Sequence, residues 1–235
     1  MIVGGSKGLG RELAVRLSQR GVVVSVLSRT PPWEAPANIH YFPADLGCQT
    51  SARSACEQAL KSHGELDSIL FCQRFRGEGD GWEGELSVGL GATKDLIDYS
   101  ANFFSASGSR SIVIVGSVAG PWIASDQPAG YHVAKAGLDA LIRYYAVKLG
   151  PMGIRVNGVS PSAFIKAESR RYHSENPAAS ARMAALTPLR RMGTAEDSAD
   201  AVEFLAGKSA GFITGQNLIV DGGLTLQLQT SIGTP

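Results

Sequence analysis

The chain has 235 residues, of which 44% are hydrophobic and 18% are charged. This length and composition fit one large domain with a sizeable core, and they exclude a disordered or fibrous protein. Twenty-two basic and 21 acidic residues leave a formal net charge of +1. With no strong charge to attract nucleic acid or an anionic membrane, the composition favours a small molecule as the partner.

The cysteines and the hydropathy pattern bear on where the protein works. Cys48, Cys56 and Cys72 are odd in number and lack the spacing of metal ligands, so we expect free thiols in a reducing compartment, the cytoplasm. The four histidines show no metal spacing either, and no metal is predicted. No apolar run approaches the roughly 20 residues that span a bilayer, and we expect neither a membrane anchor nor a signal peptide.

Short apolar segments alternate with helical ones along the whole chain. The predicted strands are Ile2–Gly4, Val22–Leu27, Ser68–Cys72, Ile112–Val115, Arg155–Val159 and Asn217–Val220. Continuously apolar strands of this length are typical of a parallel sheet that helices cover on both faces. With no linker or repeat to divide the chain, the pattern predicts a single doubly wound α/β domain of the Rossmann type over residues 1–235.

The first strand runs directly into a glycine-rich turn, and a predicted helix, Arg11–Gln19, follows. This strand–turn–helix context indicates a dinucleotide site rather than an ordinary flexible turn, which is the alternative. Gly4 would permit the tight turn, Gly8 would leave room for a pyrophosphate, and Gly10 would let helix and strand pack closely. The predicted cofactor-binding residues of the turn are Gly4, Gly5, Ser6, Lys7, Gly8, Leu9 and Gly10.

The end of the second strand predicts which dinucleotide binds. An acidic residue there would bind the ribose 2′-hydroxyl of NAD, whereas a basic residue suits the 2′-phosphate of NADP. The strand ends at Ser28 and Arg29, and Lys7 belongs to the neighbouring turn. Two positive charges and a hydroxyl therefore favour NADP(H), although each cation alone is also compatible with a solvated surface position.

Three residues later in the chain form a candidate catalytic set. Tyr131 and Lys135 begin a periodic helix and lie one turn apart on one face. A phenol is a poor base at neutral pH, but a nearby ammonium group favours the phenolate form. Ser117 follows the predicted strand Ile112–Val115, at the edge of the sheet where α/β ligand sites form. Taken alone, a tyrosine and a lysine at this spacing more often reflect packing and a solvated charge.

In combination, these motifs resemble the short-chain dehydrogenase/reductase family, in particular its 3-oxoacyl-reductase-like branch. The resemblance extends over essentially the whole chain. Beyond the glycine turn, Ser117, Tyr131 and Lys135, the segments that carry it are Ala44-Asp45-Leu46, Asn157–Pro161, Pro188–Gly193, Ile213–Gln216 and Val220–Gly223.

The resemblance implies a role for each candidate. Tyr131 would exchange a proton with the substrate oxygen, Lys135 would hold the nicotinamide ribose, and Ser117 would orient the substrate. Hydride would move to or from C4 of the nicotinamide. Further cofactor contacts are implied for Asp45, Leu46, Cys72, Pro161 and Phe164. The family also implies a homotetramer, or a dimer, assembled through helices near residues 92–99 and 131–149.

The chain departs from the family pattern at several positions. The family's Asn-Asn-Ala-Gly segment is replaced by Phe71-Cys72-Gln73-Arg74, and Gly89 stands where an asparagine usually supports a proton relay. Ser162 replaces a glycine, and Lys166 replaces a threonine. We therefore expect the cofactor pocket to have a different wall. Cys72 is expected to be structural, and His132 to pack or to face solvent.

The leading functional hypothesis is an NADPH-dependent carbonyl reductase, or the reverse alcohol dehydrogenase, acting on a small molecule. A cofactor-binding sensor or assembly subunit with little turnover is the alternative, and an isomerase or dehydratase is a third. The expected substrate loop spans residues 162–188. The candidates for lining an apolar pocket are Phe164, Tyr172 and Met183 in this loop and Trp122 outside it. The candidates for binding an anionic group of the substrate are Lys166, Arg170 and Arg171.

Overall fold

The computed structural model describes residues 1–31, 36–77 and 81–228. A central sheet runs through this part of the chain. Its strands are β1 (Ile2–Val3), β2 (Val24–Ser28), β3 (Ile39–Pro43), β4 (Ser68–Phe71), β5 (Ser111–Val115), β6 (Arg155–Pro161) and β9 (Asn217–Val220). Two short strands, β7 (Phe164–Ile165) and β8 (Gly193–Thr194), pair separately.

Helices connect the strands. They are α1 (Gly8–Gln19), α2 (Gln49–His63), α3 (Trp82–Gly84), α4 (Ala92–Ser100), α5 (Ala129–Leu149), α6 (Arg170–Glu175), α7 (Pro177–Leu186) and α8 (Ala195–Ala206). Glu85–Gly91, between α3 and α4, is a π-helical segment. No helix in the described ranges is long and apolar enough to cross a membrane.

The seven-stranded sheet has the order β3-β2-β1-β4-β5-β6-β9, and every pairing in it is parallel. The carboxyl ends of all the strands therefore lie at one edge. From β1 the chain builds outward first through β2 and β3, then returns to place β4 on the other side of β1. This reversal creates the crevice in which open α/β sheets bind ligands. The doubly wound fold is confirmed.

Both faces of the sheet are buried, because successive side chains point to opposite sides. In β5, Ile112 and Ile114 belong to a core cluster that includes residues of α2, α4 and α5. Val113, between them, belongs to a second cluster that includes residues of α1 and α8. The continuous apolar runs of the sequence thus supply two cores at once.

Some predicted boundaries were wrong. The second strand begins at Val24 rather than Val22, since Val22 and Val23 are exposed on the turn after α1. The first helix begins at Gly8 rather than Arg11. Strand β3 was not predicted. It lies at the sheet edge, where His40 and Tyr41 are only half-buried, so it lacks the apolar run of the inner strands.

Candidate active site

Two glycines allow the first strand and the first helix to meet. Gly4 has a φ of +81°, and a Cβ atom there would lie 2.6 Å from the Cα of Gln73. A Cβ at Gly10 would collide with the carbonyl oxygen of Gly4. The turn therefore requires glycine at both positions. Gly5 has a packing role, since its Cβ would contact Val26. Leu9 points into the core.

Gly8 lies at the N-terminus of α1, with a φ of +56°, and a Cβ added there would make an ordinary contact with the Lys166 side chain. The Gly8 backbone N–H donates a hydrogen bond of 3.0 Å to the carboxylate of Glu168, from the segment after β7. The N-termini of helices bind anions because their N–H groups lack partners and the helix dipole is positive there. A carboxylate in this position shows that the turn accepts an anion, so it fits the diphosphate of a dinucleotide.

Glu168 is a residue that the sequence analysis missed. It lies 160 positions from Gly8 in the chain, and no local pattern marks it. Its pKa is lowered overall: burial raises it, but the hydrogen bond from the Gly8 N–H and the nearby Lys166 and Arg11 outweigh that effect. The carboxylate is therefore ionised at neutral pH, at the N-terminus of α1.

A cleft of about 470 Å³ adjoins this turn, which is within the range of small-molecule sites. The predicted cofactor residues that line it are Gly4, Ser6, Lys7, Ser28, Arg29, Asp45, Leu46 and Cys72. Lys7 and Arg29 are exposed. Ser28 is buried, and its hydroxyl donates to the carbonyl oxygen of Thr30 at 2.8 Å. The Ser28 hydroxyl proton is thus already engaged within the chain.

Gln73 shows how the wall of the pocket is built without the family's asparagines. Its side-chain amide donates to the Thr93 hydroxyl at 2.7 Å and to the Val88 carbonyl oxygen at 3.4 Å. These bonds connect the end of β4 to the helices that follow. Beside it, burial raises the pKa of Cys72 to about 12, against the opposing effect of Lys135. A protonated, unreactive thiol is consistent with the expected structural role.

Tyr131, Lys135 and Ser117 come together at the carboxyl end of β5. All three side chains are buried. The Lys135 ammonium group donates to the Val115 carbonyl oxygen at 2.9 Å and lies 5.7 Å from the centre of the Tyr131 ring. Burial lowers the pKa of Lys135 to about 8, while Glu85 acts in the opposite direction. Ser117 follows β5, and its oxygen accepts the Ala119 N–H at 3.1 Å, which leaves its hydroxyl proton free to donate.

The π-helical segment packs closely against α5. A Cβ atom added at Gly89 would lie 3.4 Å from the Cβ of Ala134 on α5. A Cβ added at Gly130, also on α5, would contact the backbone of Trp82 in the adjoining α3. Between these contacts lies Glu85, which is 5% exposed. Burial raises its pKa, whereas Arg74 and Lys135 lower it. A buried carboxyl group therefore lies near Lys135, one helical turn before the position where the family pattern has an asparagine.

The loop after Ser117 is tied to its surroundings by backbone acceptors. Both ring nitrogens of His132 contact carbonyl oxygens, those of Ala119 at 2.7 Å and Ala124 at 3.1 Å. The Pro161 carbonyl oxygen accepts the Val118 N–H at 3.2 Å. The sequence left open whether His132 packs against the protein or faces solvent, and the structure shows that it packs. Phe164, another predicted cofactor contact, is half-buried against the second core cluster.

Two of the three predicted anion-binding residues of the substrate segment have carboxylate partners. Arg170 pairs with Glu196 at 3.3 Å and Arg171 with Glu175 at 2.7 Å. Both arginines are largely exposed in these pairs. Lys166 instead lies at the rim of the glycine turn, with its Cδ 3.6 Å from a Cβ built on Gly8. Tyr172, expected in an apolar pocket, is 57% exposed.

Comparison with known proteins identifies the family. A family model described as enoyl-(acyl carrier protein) reductase matches residues 3–225. The chain belongs to the short-chain dehydrogenase/reductase family. It is therefore an oxidoreductase of a family that uses nicotinamide cofactors.

Several relatives match over nearly their full length. An uncharacterised oxidoreductase of Schizosaccharomyces pombe is 31% identical over 95% of this chain and 89% of its own. A cyclohexanol dehydrogenase of an Acinetobacter species is 30% identical over 96% of this chain and 94% of its own. The ligand-free aldohexose dehydrogenase of Thermoplasma acidophilum superposes with a TM-score of 0.87 at 25% identity, covering 100% of this chain and 96% of that one.

Glu168→Gln is expected to tighten binding of the nicotinamide dinucleotide. The diphosphate must displace the Glu168 carboxylate from the Gly8 N–H, and the neutral amide competes less well for the positive end of α1. We expect the Kd of NADPH, measured by calorimetry, to fall about two- to fivefold. Glu175→Gln is the matched control, since Glu175 pairs with Arg171 on the same segment. Weaker binding in Glu168→Gln would contradict this interpretation.

Lys135→Met is expected to change how stability depends on pH. The pKa of Lys135 in the folded chain, about 8, lies below its ordinary value of 10.5. Between these values the unfolded chain holds more protons, so the free energy of unfolding of the native protein rises with pH. Compared with that of the Lys135→Met variant, the free energy of unfolding of the native protein should increase by up to about 1.4 kcal/mol per pH unit above pH 8. Urea titrations measure this difference. Lys148→Met, at an exposed lysine whose pKa is raised, should show no such gain.

Proposed function

We propose that the protein is an NADP(H)-dependent oxidoreductase that reduces a ketone or aldehyde to an alcohol, or catalyses the reverse. One observation carries the proposal: Tyr131 and Lys135 are buried side by side, with the lysine held on the Val115 carbonyl oxygen. The pair lies at the sheet edge that also holds the anion-accepting turn at Gly8. An acid/base pair beside a dinucleotide cleft supports hydride-transfer chemistry.

When bound, the nicotinamide supplies or accepts the hydride at its C4 atom. In the direction of reduction, the Tyr131 hydroxyl donates its proton to the carbonyl oxygen, which becomes the alcohol oxygen. The Ser117 hydroxyl donates a hydrogen bond to the same oxygen and orients it. With a pKa near 8, Lys135 is mainly protonated at neutral pH. Its charge stabilises the phenolate that remains on Tyr131 after proton transfer.

The preference for NADP(H) is supported by the charges at the end of β2. Lys7 and Arg29 both line the cleft and are exposed. We propose that these two cations bind the 2′-phosphate. Since the Ser28 hydroxyl already donates to Thr30, Ser28 has the smaller role. The adenine would lie near Asp45 and Leu46, which line the same cleft.

A homotetramer in the cytoplasm is also proposed. Two separate apolar surfaces support the assembly: Val133, Tyr144 and Val147 are exposed on α5, and Leu218 and Ile219 on the edge strand β9. Two distinct patches allow two kinds of contact between copies. Light scattering at the mass of a single 24.7 kDa chain would contradict the assembly. The three free cysteines, one of them exposed, fit a reducing compartment.

Tyr131→Phe is expected to remove turnover while leaving cofactor binding intact. The substitution deletes the proton donor, so kcat for reduction should fall by about two to four orders of magnitude. Turnover is followed through the absorbance of reduced nicotinamide with a panel of ketones, aldehydes, quinones and keto-sugars. The Kd of NADPH is measured in parallel.

Tyr144→Phe is the control for that substitution, since Tyr144 is an exposed tyrosine on the same helix. It should keep full activity. Unchanged turnover in Tyr131→Phe would contradict the catalytic role. Tight binding of NADPH by the native protein with no turnover on the whole panel would instead favour a cofactor-binding sensor or assembly subunit.

Arg29→Asp is expected to reverse the cofactor preference. It replaces a cation suited to the 2′-phosphate with the acidic group that suits a ribose hydroxyl. The KM for NADPH should rise about tenfold or more, and that for NADH should stay the same or fall. Arg20→Asp is the control, since Arg20 is an exposed residue that pairs with Glu203. Equal KM values for NADPH and NADH in the native protein would contradict the proposed preference.

A further inference from the structure

Arg74 lies directly against the catalytic tyrosine. The central carbon of its guanidinium group is 4.6 Å from the centre of the Tyr131 ring. Its Nη2 atom donates a 2.6 Å hydrogen bond to the amide oxygen of Gln127, in the loop between Ser117 and α5. Arg74 thus reaches from the end of β4 across to the opposite side of the site. The family pattern has a glycine at this position, so the cation is a feature of this chain.

The charge of Arg74 is not neutralised by an ion pair within the described ranges. Gln127, its hydrogen-bond partner, is neutral. The nearby acid Glu85 is almost fully buried, and both Arg74 and Lys135 act on it. Arg74 and Arg76 also act on the half-buried Lys166, whose pKa is lowered by burial and then by these two cations. Among the described residues, the two cations Arg74 and Lys135 thus both lie near the Tyr131 ring.

The other cations of the substrate segment are differently placed. Arg170 and Arg171 have their own carboxylate partners, Glu196 and Glu175. Arg74 is exposed and uses one donor atom in its bond to Gln127. A guanidinium group has five N–H donors in a planar fork that matches a carboxylate. Donors thus remain for a ligand beside the tyrosine.

We propose, on the basis of the oxidoreductase function proposed above, that Arg74 binds a carboxylate of the substrate. The substrate class is then an oxo acid, or the corresponding hydroxy acid, with the carboxylate next to the reacting carbon or one carbon further along. A carbonyl oxygen bonded to the Tyr131 hydroxyl and a carboxylate bonded to the guanidinium group over the same ring would lie close together, which favours this short separation. The bidentate pair would also orient the carbonyl carbon for hydride transfer.

The test compares acids with their neutral esters. Pyruvate, acetoacetate and benzoylformate are assayed against methyl pyruvate, methyl acetoacetate and methyl benzoylformate, with reduced cofactor at saturation. In the native protein, kcat/KM should be about 100-fold higher for the acids. Arg74→Ala should remove that advantage by lowering kcat/KM for the acids alone. Arg74→Lys should retain part of it, since lysine is a point charge without the planar fork.

Two controls separate substrate binding from cofactor binding, because Arg74 also lines the dinucleotide cleft. Arg76→Ala, at another exposed arginine of the same cleft, should leave the preference for acids within about threefold of the native value. The Kd of NADPH in Arg74→Ala should stay within about twofold. A large rise in that Kd with the acid preference retained would assign Arg74 to the cofactor and overturn the proposal.

Binding of the acids to the enzyme–NADP⁺ complex is measured by calorimetry, which requires no turnover. Arg74-dependent binding of the acids, without binding of the esters, supports the assignment even if no compound in the panel is reduced. In that case only the proposed function fails. Equal binding of acids and esters, or loss of both in Arg74→Ala, overturns the carboxylate assignment.

Discussion

The close approach of α1 to the ends of β1 and β4 is the constraint on which the site depends. A side chain at Gly10 would collide with the Gly4 carbonyl oxygen, and one at Gly4 would collide with the backbone of Gln73. Because both positions lack a side chain, the N-terminus of α1 can lie at the centre of the sheet edge. The Gly8 N–H, the adjoining cleft and the pair Tyr131 and Lys135 consequently lie at the same edge of the sheet.

The cations at this edge range from the buried Lys135 through the half-buried Lys166 to the exposed Arg74. Burial of the Lys135 ammonium group disfavours its charged form, which lowers its pKa. The Val115 carbonyl oxygen and Glu85 offset part of this desolvation cost. The Glu168 carboxylate accepts a hydrogen bond from the Gly8 N–H at the positive end of α1. The proposed ligands, a diphosphate and a carboxylate, carry charges opposite to those of the groups that would receive them. Binding of both would relieve the repulsion between neighbouring cations.

Local patterns predicted the parts of the site that lie within single elements. The glycine spacing after β1 predicted the turn, and the four-residue spacing of Tyr131 and Lys135 predicted that they share one helix face, since both depend on backbone geometry alone. Arg74 and Glu85 were missed as site residues. The segment that contains them resembles a glycine-rich loop in sequence, and the function of each depends on what packs against it.

The sequence by itself determined the doubly wound fold, the position of the glycine turn after β1 and the family to which the chain belongs. These follow from apolar periodicity and from glycines whose backbone conformations few other residues can adopt. Only the tertiary structure decided which charges meet. It brought Glu168 to Gly8, Arg74 to Tyr131 and Glu196 to Arg170. Such contacts join residues far apart in the chain, so packing of the elements sets them and no local pattern encodes them.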